Sequence, residues 1–131
     1  MEIVRRAVEA NRSGPRDATV EIGVELAHPD FEFTSRLTSV EGATYRGHDG
    51  VRSYFEDMAD AWQEWRNEAD EVTEVAPNAI FTENTLRATG RSGVDVELRS
   101  AVVFVLSGGK ILKIHSHPSR QEALEAAGLS E

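Results

Sequence analysis

Residues 94–117, VDVELRSAVVFVLSGGKILKIHSH, decide the fold of this chain. Val94 to Leu106 reads as one long strand, Ser107-Gly108-Gly109 as a tight glycine turn, and Lys110 to His117 as the returning antiparallel strand, which Pro118 stops. Within the first strand, Ala101, Val103 and Val105 alternate with Val102, Phe104 and Leu106. Successive side chains of a strand leave opposite faces, so this segment is apolar on both sides and predicts cover on both.

Upstream of this hairpin the texture is also β. A strand near Glu68 to Val75, a turn at Pro77-Asn78, a strand from Ile80 to Thr89 and a turn over Gly90 to Gly93 predict a meander. Before it, Val51, Tyr54, Phe55, Met58, Ala61, Trp62 and Trp65 form an unbroken stripe at helical spacing, with Arg52, Glu56, Asp57, Asp60 and Glu64 largely opposite. That pattern predicts one long amphipathic helix. Leu37 to Gly47 reads as loop with room for a small hairpin, Phe31, Phe33 and Ser35 as a short strand, and His28-Pro29-Asp30 as the end of the element before it. In that element Ala18, Val20, Ile22, Val24 and Leu26 alternate like a strand, yet Val20, Val24 and Ala27 also share a helical face. Pro15 and Asp17 suit a helix start, so a helix is predicted. Ile3, Val4, Ala7 and Val8 predict a first helix of about three turns, broken by Ser13-Gly14-Pro15. At the other end, Ser119 with Glu122 makes a capping-box pattern, and Leu124 and Ala127 before Gly128 predict a short final helix. Helices, a strand, a helix and then four strands occur as runs rather than in alternation, which indicates α+β architecture in a single domain spanning 1–131.

Composition bounds the function classes. The 131 residues carry 23 acidic against 14 basic side chains, a formal charge of −9, which repels phosphate backbones and anionic lipid surfaces in the absence of a basic patch. Neither a nucleic acid nor a membrane is expected as partner. There is no cysteine, so disulfides, thiolate metal sites and cysteine catalysis are excluded, in keeping with a cytoplasmic protein. Met1-Glu2-Ile3 opens a segment that mixes charge with apolar residues, unlike a secretory signal, and the longest apolar run, Ala101 to Leu106, falls far short of the roughly 20 residues of a spanning helix.

Several motifs in order carry a resemblance. The first helix with Asn11, Ala27-His28-Pro29-Asp30-Phe31-Glu32-Phe33, Tyr45-Arg46-Gly47-His48-Asp49-Gly50-Val51 leading into Tyr54-Phe55, Gly109-Lys110-Ile111, and the run Glu122 to Leu129 together resemble SnoaL-like proteins. These belong to the nuclear transport factor 2-like, ketosteroid isomerase-like superfamily. The resemblance implies a cone-shaped α+β barrel, in which a curved antiparallel sheet wraps around the long helix with two N-terminal helices, leaving a pocket at the open end, commonly in a dimer. It also supports the helical reading of residues 18–26. Functions across the superfamily range from isomerases, cyclases, dehydratases and epoxide hydrolases to pure binding proteins, so the fold alone does not assign one.

The resemblance also says where catalytic groups would stand. Proton abstraction beside a carbonyl needs a base in an apolar pocket and a donor for the enolate oxygen. The isomerase base position falls on Thr34, Ser35 or Arg36, the oxyanion donor on Arg6, and the second acid within Arg99 to Leu106; none of these is Asp or Glu. The cyclase His–Asp pair falls on Ile114 and Ser116, and the epoxide-hydrolase arrangement leaves Arg99 without a second aspartate beside Asp95. Both patterns are absent. His115 and His117 share a strand face, the minimum for two metal ligands, but lie opposite Ile114 and Ser116 with Lys113, and no third ligand is indicated. No metal or other cofactor is expected. His48 at the helix start reads more readily as a cap or solvent-exposed group than as a ligand contact, and His28 before proline as structural.

Strand parity then predicts the pocket wall. Parity sends Leu98, Ser100 and Val102 inward, and the cone that the resemblance implies adds the inner face of the long helix with Tyr54 and Trp62; together with Phe33 and Ile114, and with Ser100, Ser116 and Arg36 as polar points, these are expected to line a pocket for a small, mostly apolar ligand. Two functions stay open: a small-molecule enzyme of lyase, isomerase or cyclase type, and a non-catalytic ligand-binding or dimerisation module. A homodimer is expected through the outer sheet face, where a second copy would cover Ala101, Val103 and Val105.

Overall fold

The computed structural model describes residues 3–7, 16–34, 44–90 and 92–129. Helix α1 occupies residues 3–7, α2 Arg16–Leu26, α3 Gly47–Ala61 and α4 Arg120–Ala126; the strands are β1 Ala27–Thr34, β2 Thr44–Arg46, β3 Trp62–Ala76, β4 Ala79–Gly90, β5 Asp95–Ser107 and β6 Lys110–His117. The expected α+β architecture is the one found. The predicted turns before residue 16 and the loop residues 37–43 lie outside the described residues, and 44–46 form the outer strand of a pair with β1.

The six strands run in the order β2-β1-β6-β5-β4-β3. All neighbours are antiparallel except β1 and β6, which are parallel, so the sheet expected to be wholly antiparallel is mixed. Side chains from β1, β3, β4, β5 and β6 front one common cavity with α2 and α3, which requires the sheet to curve around them.

Three local expectations are corrected. The long helix ends at Ala61 rather than near Trp65: Trp62 is extended at φ −128°, ψ 138°, although its N–H still donates to the Met58 carbonyl. From Trp62 the chain pairs with β4, starting at Trp62 opposite Gly90, and the ladder to β4 replaces the helical bonds that the stripe alone would predict. Trp62 and Trp65 are therefore strand residues. Second, His28-Pro29-Asp30 lies inside β1 rather than ending the helix; Leu26 ends it. Proline has no N–H to give a ladder, and the β1–β6 register shifts between Ala27 and Glu32, where it sits. Third, α4 packs on the outer face of β5 and β6, beside Ala79 and Phe81 of β4. Ala123 and Leu124 join Ala79, Phe81, Ala101 and Val103 in one cluster, and Val103 and Ala123 have no exposed surface. Ala101 and Val103, two of the three residues on which a second copy was expected, are thus buried within one chain, and Val105 is half-buried.

The ends of α4 match their sequence signals. Ser119 Oγ accepts from the Glu122 N–H at 3.2 Å and lies 3.1 Å from the Glu122 carboxylate, while Gly128, at φ 79°, lets the Gly128 and Leu129 N–H groups reach the Glu125 and Leu124 carbonyls. On the inner side a second cluster joins Val4, Leu26, Phe31, Val51, Phe55, Ile80, Phe104 and Ile111. Helices α2 and α3 approach closely at Gly23, where a Cβ would stand 3.1 Å from Val51 Cγ1.

Candidate functional site

The cavity lies between the inner sheet face and α2 and α3, and has a volume of about 160 Å³. Its floor follows from parity. On β5, Leu98, Ser100, Val102 and Phe104 project inward, and across the ladder Val102 stands opposite Ser116 and Phe104 opposite Ile114. On β4 the inward row includes Asn84 and Leu86, paired with Ser100 and Leu98. Leu26, Val51 and Phe55 close the cavity from the helices, and Phe31 and Ile111 close its deep end.

Seven of the nine predicted lining residues are on this wall: Phe33, Tyr54, Leu98, Ser100, Val102, Ile114 and Ser116. Trp62 is not among the lining residues. It stands at the far end of β3 beside Gly90, with a buried indole Nε1 that has no partner among the described residues. Arg36 lies outside the described residues, as does Ser35. Two polar wall residues escaped the sequence reading, Asn67 on β3 and Asn84 on β4. The signal was present on β4, where Ile80, Thr82, Asn84, Leu86 and Ala88 alternate with the residues of the other face.

Polar groups on the wall are neutral and joined. The Thr82 hydroxyl donates to Asn84 Oδ1 at 2.5 Å, and Asn84 Nδ2 donates to Asn67 Oδ1 at 3.2 Å. Ser100 also has an interaction of its own. Tyr54 sits in an aromatic cluster, edge-on to Phe33 at 5.2 Å, Tyr45 at 5.5 Å and Phe55 at 5.3 Å between ring centres. Burial, and secondarily the charge Tyr45 would carry, push the Tyr54 phenol above its ordinary range, so it stays protonated. The neighbouring Tyr45 hydroxyl is instead tied to Asp57 Oδ2 at 2.6 Å, fixing β2 against α3.

No carboxylate, histidine, lysine or arginine is among the described lining residues. Arg6 pairs with Glu25 at 3.5 Å, and Arg99 pairs with Asp70 at 3.8 Å on the exposed outer side of the sheet. His48 is neither a cap nor a wall residue: its Nε2 lies 2.9 Å from the Ala27 carbonyl oxygen and ties the start of α3 to β1. His115 and His117 face outward opposite Val103 and Ala101, and among the described residues no cluster could hold a metal ion. Burial, then Lys113 and His117, lower the His115 pKa, against a smaller opposing effect of Glu32.

Among the described residues no helix is long and apolar enough to cross a membrane. Solved structures with the same fold include an NTF2-like protein of unknown function from Burkholderia pseudomallei, 23% identical, with TM-score 0.76, 95% of this chain and 94% of that one covered. A hypothetical protein from Catenulispora acidiphila with a ketosteroid isomerase-like fold, solved in complex with trimethylamine, is 16% identical with TM-score 0.73, covering 98% and 93%. A putative polyketide cyclase from Xanthomonas campestris is 16% identical with TM-score 0.67, covering 92% and 90%. No curated protein matches the chain. The model of the SnoaL-like domain matches residues 4–114, a stretch that holds every described residue of the cavity wall except Ser116, and the chain belongs to the SnoaL-like domain family.

Proposed function

We propose that this SnoaL-like domain binds a small, neutral, mostly apolar molecule in its inner cavity. The observation that carries the reading is the make-up of the wall: apolar side chains around a few uncharged polar groups, with no fixed charge among the described lining residues. An apolar cavity of roughly 150 Å³ suffices for a benzene-sized guest, and this one is about that size. An ion inside it would lose its hydration without a countercharge, at a cost of several kcal/mol, so neutral ligands are favoured. The dimerisation alternative has less support, because α4 covers the outer apolar patch that suggested it.

A catalytic version of the same reading rests on Tyr54. It is the ionisable side chain on the described wall, and it is held protonated, so it can donate a hydrogen bond but cannot serve as a base near neutral pH. The wall therefore favours polarising a carbonyl over abstracting a proton, a chemistry compatible with the lyase, isomerase or cyclase class. Thermal shift tests the shared core of both versions. Neutral six-membered ring compounds should raise the melting temperature, their carboxylate and ammonium analogues should not, and Leu98→Trp, which fills the cavity, should abolish the response. A response to the charged analogues alone would exclude the reading.

A further inference from the structure

The inner face of the sheet continues past the cavity. Leu86 and its partners Asn67 and Leu98 are wall residues, and the next two residues of that face on β4 are Ala88 and Gly90, opposite Trp65 and Trp62 of β3. Two tryptophans thus stand across from an alanine and a glycine, at the end of the floor away from Phe31 and Ile111. The Trp62 ring lies on Gly90: an added Cβ there would meet its six-membered ring at 3.8 and 3.9 Å, which is ordinary contact. Trp62 is poorly anchored in this position. Its N–H still donates to the Met58 carbonyl as a helix residue would, although its own backbone is extended. Its place in the strand is irregular, because β3 advances two residues from Trp62 to Glu64 while β4 advances one from Gly90 to Thr89, so β3 carries one extra residue there. Its indole Nε1 is buried with no partner among the described residues, which disfavours the position it holds. The apolar stripe of α3 also runs on into Trp62 with neither glycine nor proline to stop it.

We propose that Trp62 is a gate at this end of the cavity, opened when Trp62 and Gln63 wind back onto the end of α3. Moving two residues from strand to helix, at about 3.3 and about 1.5 Å per residue, shortens the chain by about 3.6 Å, close to the length of the one extra residue of β3. The pairing of Glu64 with Thr89, and the ladder beyond it, is therefore kept. Trp62 then follows Phe55 and Met58 along the apolar stripe, its indole leaves Gly90, and the floor beyond Leu86 and Leu98 is uncovered for a ligand to pass. This rests on the ligand-binding reading above and adds the route of entry and the residue that controls it. Gln63 is exposed and is not a wall residue, so it acts on the gate through its backbone preference alone.

Relaxation dispersion on the ¹⁵N-labelled full chain reads the motion without any ligand. The Trp62 indole N–H and the Thr89 and Gly90 amides should exchange on the microsecond to millisecond scale, while the Leu124 amide under α4 stays at rest. Gln63→Val, which favours the strand, should lower the open population about threefold, and Gln63→Ala, which favours the helix, should raise it about twofold. Benzene is the probe of passage. Its association and dissociation rates, measured by NMR exchange, should change together by those factors at an unchanged Kd, and Trp62→Ala should make them independent of residue 63. Absence of exchange at Trp62, or equal benzene rates in the unaltered chain and the two Gln63 variants, overturns the gate and leaves the ligand-binding reading standing. Failure of benzene and of the other neutral ring compounds to bind, with exchange at Trp62 present, overturns the ligand-binding reading and the gating role, and leaves the winding of Trp62 itself established. Should Trp62→Ala fail to fold, the Gln63 pair decides alone.

Discussion

The two faces of β5 are built from alternate residues of one apolar run and end in opposite states. On the outer face Ala101 and Val103 are sealed under Ala123 and Leu124 of α4, with Ala79 and Phe81 beside them. On the inner face Val102 and Phe104, with Leu98 and Ser100, front a cavity. Both faces are covered, as the run predicted, but by different roofs. Outside, a short helix presents a small alanine and seats flat on the sheet. Inside, α3 meets β1 and β2 through large aromatic rings: its own Tyr54 stands edge-on to Phe33, Tyr45 and Phe55, while Phe33 and Tyr45 stack at 6.4 Å, and a cavity remains between the helix and the sheet floor. Apolar pattern thus specifies cover, while the size and tilt of the covering side chains decide between core and pocket.

That contrast breaks most sharply at Val103. An aspartate there would be a buried charge without a partner, and Val103→Asp should cost about 4 kcal/mol or more in denaturant unfolding. A loss of only about 1 kcal/mol, or a dimer dissociated by this change in sedimentation at unaltered stability, would mean that α4 is not the cover and a second copy is. Truncation then sharpens the comparison. Val103→Ala should destabilise by about 2 kcal/mol because it opens a void in a closed cluster, and Val102→Ala by about half that, because Val102 already borders empty space and has fewer contacts to lose. Equal losses would argue that the inner face is as tightly packed as the outer.

The roof of the outer face can be loosened from its end. Ser119→Ala removes the capping hydroxyl of α4 and should cost about 1 kcal/mol, with faster amide exchange at Ala123 and Leu124 and none of that increase around the inner cavity. The smallest effect is expected at His115, which stands on the outer face opposite Val103. Its pKa is lowered in the folded state by burial, then by Lys113 and His117, so the unfolded chain binds the proton more readily. Stability from this group is present above the ordinary histidine pKa of about 6.5 and is lost as pH falls below it; His115→Gln should flatten the stability profile between about pH 7 and 5. An unchanged slope would show that His115 is solvated.

Five of the seven wall positions, Leu98, Ser100, Val102, Ile114 and Ser116, were legible because strand parity is a local property: once one residue of β5 or β6 is known to face inward, its neighbours two apart follow, whereas Tyr54 was legible from the inner face of α3. Asn84 obeys the same rule on β4, where it shares the inward row with Ile80, Thr82 and Leu86. Asn67 and Trp62 were harder. The helical stripe continues through Trp62 and Trp65 with neither glycine nor proline to stop it, so the local pattern favours a helix that the structure ends at Ala61. Only the partner strand β4, distant in sequence, converts these residues to β. The alternating segment Val20 to Leu26 is the mirror case, where a strand-like pattern is a helix because it packs on α3 through Gly23.

By itself the sequence determined the order and type of most elements, the hairpin turns, the cap of α4 and the alternation that sends Ser100 and Ser116 to one face and His115 and His117 to the other. These follow from backbone geometry and turn chemistry, which act over a few residues. The tertiary structure alone decided that β1 pairs in parallel with β6, that α4 rather than another chain covers Val103, and that Asn67 meets Asn84. Each of these joins residues far apart in the chain, and the free energy that selects them comes from surfaces and hydrogen bonds that exist only once the chain has closed on itself.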